Sequence, residues 1–257
     1  MRSRLPARQV IRATVADALW LPLSALLLTL LLTAAFSPAG GQSAAAGAPV
    51  ATQQMPVGIP RPSFGHDVDP DRAATIFVDN TNDACDNESG TFEAPLCDLF
   101  RGGTSVTYAA GDVIHVFGGP YAISGDLSLI ATGSIDAPVI IRGMGGGRIL
   151  FDGAGQRVNF RWDGSYGVIE NIDFYHKTRH VISGHHLAFS NIGVRNPVHA
   201  FIDFNPVVNI SGHDVLIQRS EIGNNRRTSD LDSHGINAGS GSYNLWILDN
   251  EIYNNNG

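Results

Sequence analysis

Lysine, cysteine and charged residues in general are scarce in this sequence. Of its 257 residues 16% are charged, Lys177 is the single lysine, and there are two cysteines, Cys85 and Cys97. The formal net charge is −7 with a pI near 5.6, and four of the arginines stand within the first twelve residues. An acidic chain with so few cations is a poor partner for nucleic acid or for an anionic membrane surface, so we expect neither.

A helical apolar period is also missing. Past residue 74 no segment repeats its apolar residues every three to four positions, apart from a short stretch at 97–102, which argues against a helix-rich domain. The glycine-rich run at 143–147 lacks the Lys-Ser/Thr ending of a phosphate-binding loop. Abundant glycine, 29 residues in all, predicts an all-β, turn-rich domain instead.

What the sequence does contain is an internal repeat in its C-terminal third. Four segments carry alternating apolar residues, then a polar pair, then an isoleucine; they span residues 167–174, 187–194, 215–225 and 245–255. The isoleucines are Ile172, Ile192, Ile222 and Ile252. Repeats of this length built from short strands predict parallel strands stacked layer on layer, with these isoleucines above one another in the interior.

Histidines in front of these segments repeat as well. An interior column made of Ile182, Phe201 and Ile236 would align them. The aligned histidines are His180, His199 and His234. The loops that follow this column differ in length, and variable loops on one side of a constant stack are where such folds build their sites.

The N-terminal third predicts export. Basic residues, an apolar run at 19–36 and small residues after it make residues 1–36 an export signal. An uncleaved membrane anchor is the alternative, because the run nearly reaches spanning length. Residues 37–73 are rich in Ala, Gly, Pro and Gln and predict a flexible linker. We therefore expect a secreted, extracellular or periplasmic protein, or a cell-surface one if the first segment is retained.

The folded domain is predicted at residues 74–257. In an exported chain Cys85 and Cys97 predict a disulfide, and a metal or redox pair is the alternative. The last residues, 254–257, follow a repeat isoleucine with no capping element. We therefore expect the domain to be incomplete at its C-terminus, with an exposed strand edge.

Residues 111–121 (Gly-Asp-Val-Ile-His-Val-Phe-Gly-Gly-Pro-Tyr), residues 137–143 and the asparagine-cornered repeats resemble the secreted right-handed parallel β-helix superfamily. That superfamily includes pectate, alginate and chondroitin lyases, polygalacturonases and surface proteins. The resemblance covers about residues 75–257 and implies a right-handed parallel β-helix, a solenoid. Residues 233–250 are similar to a pectate lyase segment, but Leu248-Asp249 stands where that family has Asp-His.

The resemblance implies a lyase for an acidic, uronate-containing polysaccharide. Such an enzyme must neutralise the substrate carboxylate and then remove the C5 proton with a base. The candidate catalytic residues are Lys177, His180, His234, Arg226 and Arg227. The non-functional alternatives are a solvated corner around Lys177 and, for residues 226–234, a loop whose arginines pair with its own aspartates.

Binding and metal candidates complete the prediction. Asp230 and Asp232 are candidate Ca²⁺ ligands, because hard cations take oxygen ligands. The candidate substrate-binding residues are Arg179, His199, Tyr243 and Trp246. The predicted function is a polysaccharide lyase, with a glycoside hydrolase as second choice. The alternative from another class is a non-catalytic glycan-binding or adhesive surface β-helix.

Overall fold

All regular structure in the described part of the chain is β. The computed structural model describes residues 62–155, 159–175, 179–196, 208–225 and 234–255, and within these ranges every regular element is a strand. No helix there is long and apolar enough to cross a membrane. The predicted export signal at 1–36 lies outside the described residues.

Eighteen strands are found in these ranges. In chain order they are β1 (Ile76–Asp79), β2 (Ser105–Ala109), β3 (Val113–Phe117), β4 (Tyr121–Ala122), β5 (Leu127–Thr132), β6 (Val139–Gly143), β7 (Ile149–Asp152), β8 (Asn159–Glu170), β9 (Ile172–Tyr175), β10 (Arg179–Ile182), β11 (His185–Ser190), β12 (Gly193–Arg195), β13 (Val208–Ile210), β14 (His213–Gln218), β15 (Glu221–Gly223), β16 (Ile236–Ala238), β17 (Leu245–Leu248) and β18 (Glu251–Tyr253).

The strands stack in three parallel columns. The first column is β2-β5-β8-β10-β13-β16, the second is β1-β3-β6-β8-β11-β14-β17, and the third is β4-β7-β9-β12-β15-β18. The long strand β8 belongs to both of the first two columns and joins them into one twelve-stranded sheet, while the third column is a six-stranded sheet. From β2 onward the chain passes through the three columns in the same order in each layer.

The predicted stacking of isoleucines is confirmed in part. Ile222 lies opposite Ile252 in a parallel pair. The residue opposite Ile222 in the preceding layer is Val194, however, so the prediction for Ile192 was wrong by two positions. A slip of two leaves the interior side unchanged, since strand side chains alternate with period two, and Ile192 is indeed buried.

The cause of the slip is a left-handed corner. Asn171, Asn191 and Arg219 occupy it in successive layers with φ of 58°, 50° and 50°. Asparagine is a frequent residue in this conformation, whereas arginine is not. The sequence prediction aligned the isoleucines instead of this corner, and Ile192 follows Asn191 directly whereas Ile222 comes three positions after Arg219.

The histidine column predicted from sequence also has a different register. His180 lies opposite Val208, which lies opposite Ile236. His180 and His234 therefore do not share a column, and His199 is outside the described residues. The predicted match of Ile182 with Ile236 is wrong by the same two positions.

The interior is apolar and aromatic. Phe160, Trp162 and Phe174 are buried and in contact, with ring centroids 4.4–5.7 Å apart. Burial of each such side chain contributes about 2–3 kcal/mol. Cover decreases toward the last layer: Ile217 is 1% exposed, but Ile247, which pairs with it, is 43% exposed.

The disulfide between Cys85 and Cys97 is confirmed, with an S–S distance of 2.02 Å. It closes the loop between β1 and β2. In the same loop Cys97 N–H donates to Asp86 O at 2.7 Å, so backbone bonds and the disulfide fix this loop together.

A segment that the sequence assigns to the linker packs on the outside of the second column. We call residues 62–72 the strap. Phe64 and Val68 of the strap cover an outward apolar row on β3, β6, β8, β11 and β14. The Arg142 side chain donates to the backbone oxygens of Asp69 at 3.0 Å and Pro70 at 2.6 Å, and also pairs with Glu170.

Candidate functional site

The outside of the first column carries an open groove with two arginines. Phe160 and Trp162 of β8 point inward, so Arg161 between them points outward. Arg179 begins the next strand, β10, and Val181 of that strand lies opposite Arg161. With Asp126, Leu127, Ser128 and Asn159 these residues line a cavity of about 130 Å³. We call it the arginine groove.

The described residues neutralise the positive charge of this groove only in part. The Arg161 side chain is 54% exposed, and its Nε is 3.9 Å from Asp163 Oδ2, a long contact. Among the residues that the structure describes, no carboxylate lies within 4.0 Å of Arg179. Exposed, weakly paired guanidinium groups are well suited to bind a planar carboxylate through two parallel hydrogen bonds.

The carboxylates beside the arginines are held by neighbouring groups. Asp126 Oδ1 accepts hydrogen bonds from the backbone N–H of Asn159 at 2.9 Å and from its side-chain amide at 3.0 Å. Asp163 accepts a hydrogen bond from the Ser183 hydroxyl. In both carboxylates an oxygen that could accept a substrate proton is thus already engaged by a donor of the chain. The described part of the groove therefore resembles a binding surface more than a proton-abstraction site.

His180, one of the residues predicted to act in catalysis, lies in the interior. It is 2% exposed and points into the interior, where its ring is parallel to that of Phe160 at 5.6 Å. Trp162 Nε1–H donates to its Nδ1 at 3.1 Å. Because neighbouring residues of a strand face opposite sides, Arg179 reaches the groove and His180 does not.

The other predicted residues that the structure describes lie away from the arginine groove. His234 is exposed beside the last layer, and its backbone oxygen accepts a hydrogen bond from Asn225 at 3.1 Å. Trp246 faces outward from the second column, where it packs against the apolar row under the strap. Six residues lie outside the described ranges: Lys177, His199, Arg226, Arg227, Asp230 and Asp232.

Tyr243 belongs to an aromatic stack that the sequence analysis did not find. The rings of His185 and His213 are parallel within 3° at 5.1 Å, and those of His213 and Tyr243 within 4° at 4.6 Å. We call these three residues the histidine ladder. His186 lies beside it, with Nδ1 2.9 Å from Nδ1 of His185. The signal was present in the sequence as two histidine-initiated dipeptides, at 185–186 and 213–214, each before an apolar strand.

The outside of the third column is polar but closed. Arg195 pairs with Asp173 and lies 3.6 Å from Glu221, which also contacts Arg148 at 2.9 Å. Burial alone would raise the pKa of Glu221, but hydrogen bonds from Tyr253 and Arg148, with the charges of Arg195 and Arg148, hold that pKa below its ordinary value. The same hydrogen bond, together with burial, raises the pKa of Tyr253 to about 12. The charged groups of this network are thus paired with one another.

Metal coordination has no support in the described ranges. Within them no three or more His, Cys, Asp or Glu side chains are arranged to hold a metal ion. The predicted Ca²⁺ ligands, Asp230 and Asp232, lie outside those ranges, so the Ca²⁺ site stays a prediction.

Comparison of the chain with protein-family models, with curated proteins and with solved structures found no match.

Proposed function

We propose that this chain is a right-handed parallel β-helix, exported from the cell, that binds an acidic polysaccharide in the arginine groove. Three parallel columns visited in a fixed order support the β-helix, and parallel crossover connections are right-handed in almost all proteins. The Cys85–Cys97 disulfide supports an oxidising compartment and hence export.

The pair Arg161 and Arg179 is the observation that carries the proposed ligand class. Two cations on adjacent strands line one shallow, open groove in a chain of net charge −7. A polymer with a carboxylate on each sugar offers a partner to each arginine. A neutral glycan would leave their charge unused, so uronate polysaccharides are the preferred ligands.

The reaction that this groove would support is β-elimination. The arginines would neutralise the uronate carboxylate and thereby acidify the C5 proton. A neutral Lys177 side chain, two positions before Arg179 in the sequence, would take that proton. The C4–O bond then breaks, a C4–C5 double bond forms, and the leaving oxygen is protonated from solvent.

Non-catalytic binding is the second candidate, and one observation favours it. Asp126, a carboxylate that lines the groove, is fixed by two hydrogen bonds from Asn159, and His180 points away. Under this proposal the protein holds acidic glycan without cleaving it.

One experiment tests both candidates. The full chain is incubated with a panel of uronate polymers, while binding is measured with labelled oligomers and the C4–C5 double bond by its ultraviolet absorbance. A lyase gives absorbance that Lys177→Ala abolishes without loss of binding. A binding protein gives retention without absorbance. If the folded protein binds none of the polymers, the acidic polysaccharide proposal is refuted.

A further inference from the structure

The histidine ladder lies on the outside of the stack where the first two columns meet. Its members begin β11 and β14 or precede β17, and Ser165 of β8 is opposite His185. Tyr243 is 55% exposed, and the histidines are partly exposed. Three rings in register across three layers give a row whose repeat equals the strand spacing, roughly 4.8 Å.

The hydrogen bonds of the rings define which nitrogen atoms are available. His213 Nδ1 donates to Asp214 Oδ2 at 2.7 Å, and His185 Nδ1 is engaged with His186. Within the described part of the chain, Nε2 of His185 and of His213 has no hydrogen-bond partner and is not buried. Both nitrogen atoms belong to parallel rings in adjacent layers, and each is accessible to a ligand.

This geometry does not suit a metal ion or a sugar face. Zinc sites use three or four protein ligands, and within the described residues no group of three or more His, Cys, Asp or Glu side chains is arranged to hold a metal ion. The faces of His213 are occupied by its neighbours in the stack. What the ladder presents to a ligand is therefore a row of ring edges.

The charge of those edges depends on pH. Burial, followed by the nearby His186 and His213, lowers the pKa of His185 below its ordinary range. The groups that face it are His186 on β11, His213 and Asp214 on β14, Tyr166 on β8 and Tyr243. The strap contributes Phe64, while its His66 contacts Gln218 and Asp67. Asp214 is the carboxylate of this group, so acidification adds more positive charge than one carboxylate balances.

We infer that the histidine ladder is a second anion-binding site, which takes carboxylate groups of the acidic polymer in mildly acidic solution. On protonation each Nε2–H becomes a charged donor, and charge-assisted hydrogen bonds are the strong ones. The polymer's identity rests on the proposed function, but the site and its pH dependence rest on the ladder itself. Sugar carboxylates stay ionised at pH 5, because an ordinary carboxyl group titrates below about 4.5.

The test is the binding of a fluorescent oligogalacturonate at pH 7.5 and pH 5.0, at equal ionic strength. For the unmodified chain we expect about tenfold tighter binding at pH 5.0, the gain of one charge-assisted hydrogen bond. His185→Gln with His213→Gln should remove that gain and leave binding at pH 7.5 unchanged. The single variant His213→Gln, which keeps His185 in place, serves if the double variant does not fold.

A second readout separates binding by the ladder from a structural effect. Near pH 6 binding should take up protons, so the heat of binding should differ between buffers of different ionisation enthalpy, and the double variant should lose that difference. A pH gain that survives both variants would overturn the inference. Arg161→Ala with Arg179→Ala should weaken binding at pH 7.5 about a hundredfold and keep the gain at pH 5.0; unchanged binding at pH 7.5 in this variant would instead refute the arginine groove.

Discussion

The outsides of the first and third columns carry similar residue types and differ in how charge is compensated. In the third column Arg195 and Arg148 contact Asp173 and Glu221 across several layers. In the first column, among the residues that the structure describes, Arg161 has one carboxylate contact, at 3.9 Å. The strands and their spacing are the same. The difference shows that stacked parallel strands can hold a charge either paired within the fold or open to solvent, according to the partners around it.

Removal of the two arginines of the groove should have the largest effect on the contrast between the first and third columns. We expect Arg161→Ala with Arg179→Ala to weaken uronate oligomer binding about a hundredfold, the loss of two charge-assisted contacts. The matched control is Arg195→Ala, which should leave binding unchanged and lower stability instead. Titration of a labelled oligomer measures the first effect and chemical denaturation the second. Equal loss of binding in the two variants would mean that overall charge, not the groove, attracts the polymer.

The closed network should show the opposite behaviour. Glu221→Ala leaves Arg148 and the Tyr253 hydroxyl without their shared partner, so we expect the free energy of unfolding to fall by about 2 kcal/mol. Glu251 lies opposite Glu221 in the next layer and is exposed, so Glu251→Ala is the control, with an expected change within about 0.5 kcal/mol. Urea denaturation measures both. A Glu251→Ala loss as large as that of Glu221→Ala would show that the network does not stabilise the fold.

The network also predicts a pH dependence at the alkaline end. Folding raises the pKa of Tyr253 from 10 to about 12 through its bond to Glu221. A raised pKa means that the contribution of this group is complete below pH 10 and is lost as the pH rises through 12. We expect Tyr253→Phe to flatten the fall in stability over that interval, measured by denaturation from pH 9 to pH 12. An unaltered slope would assign the fall to other tyrosines, such as Tyr121.

Much of the fold could be predicted because stacking repeats its residue pattern. Alternating apolar residues at intervals of 20 to 30 positions predicted parallel strands, and the cysteine spacing predicted the disulfide. The register of Ile192 could not be obtained this way, because the isoleucine follows its left-handed corner directly at Asn191 but three positions later at Arg219. A corner residue is selected partly by its layer neighbours, and sequence spacing does not contain that information.

The strap and the histidine ladder were missed for related reasons. The strap has no apolar period, and Phe64 and Val68 are too few to predict burial on their own. Its packing depends on a row contributed by five strands distant in sequence. The ladder consists of isolated turn residues that meet only after the layers stack. Of the predicted site residues, Arg179 reaches the groove, while its neighbour His180 shows that one position along a strand decides between surface and core.

The smallest expected effect concerns an asparagine pair on the outside of the first column, which is the uncharged counterpart of the ion network of the third column. Asn237 Nδ2 donates to Asn209 Oδ1 at 2.8 Å on the outside of β16 and β13. Asn237→Ala should lower the free energy of unfolding by about 1 kcal/mol, the usual worth of one hydrogen bond, and should leave oligomer binding unchanged. Denaturation and the same binding titration measure the two. If the variant binds the oligomer more weakly but is as stable as the unmodified chain, the Asn237 amide contacts the ligand instead of stabilising the fold. The glycan-binding surface would then extend from the arginine groove to these layers.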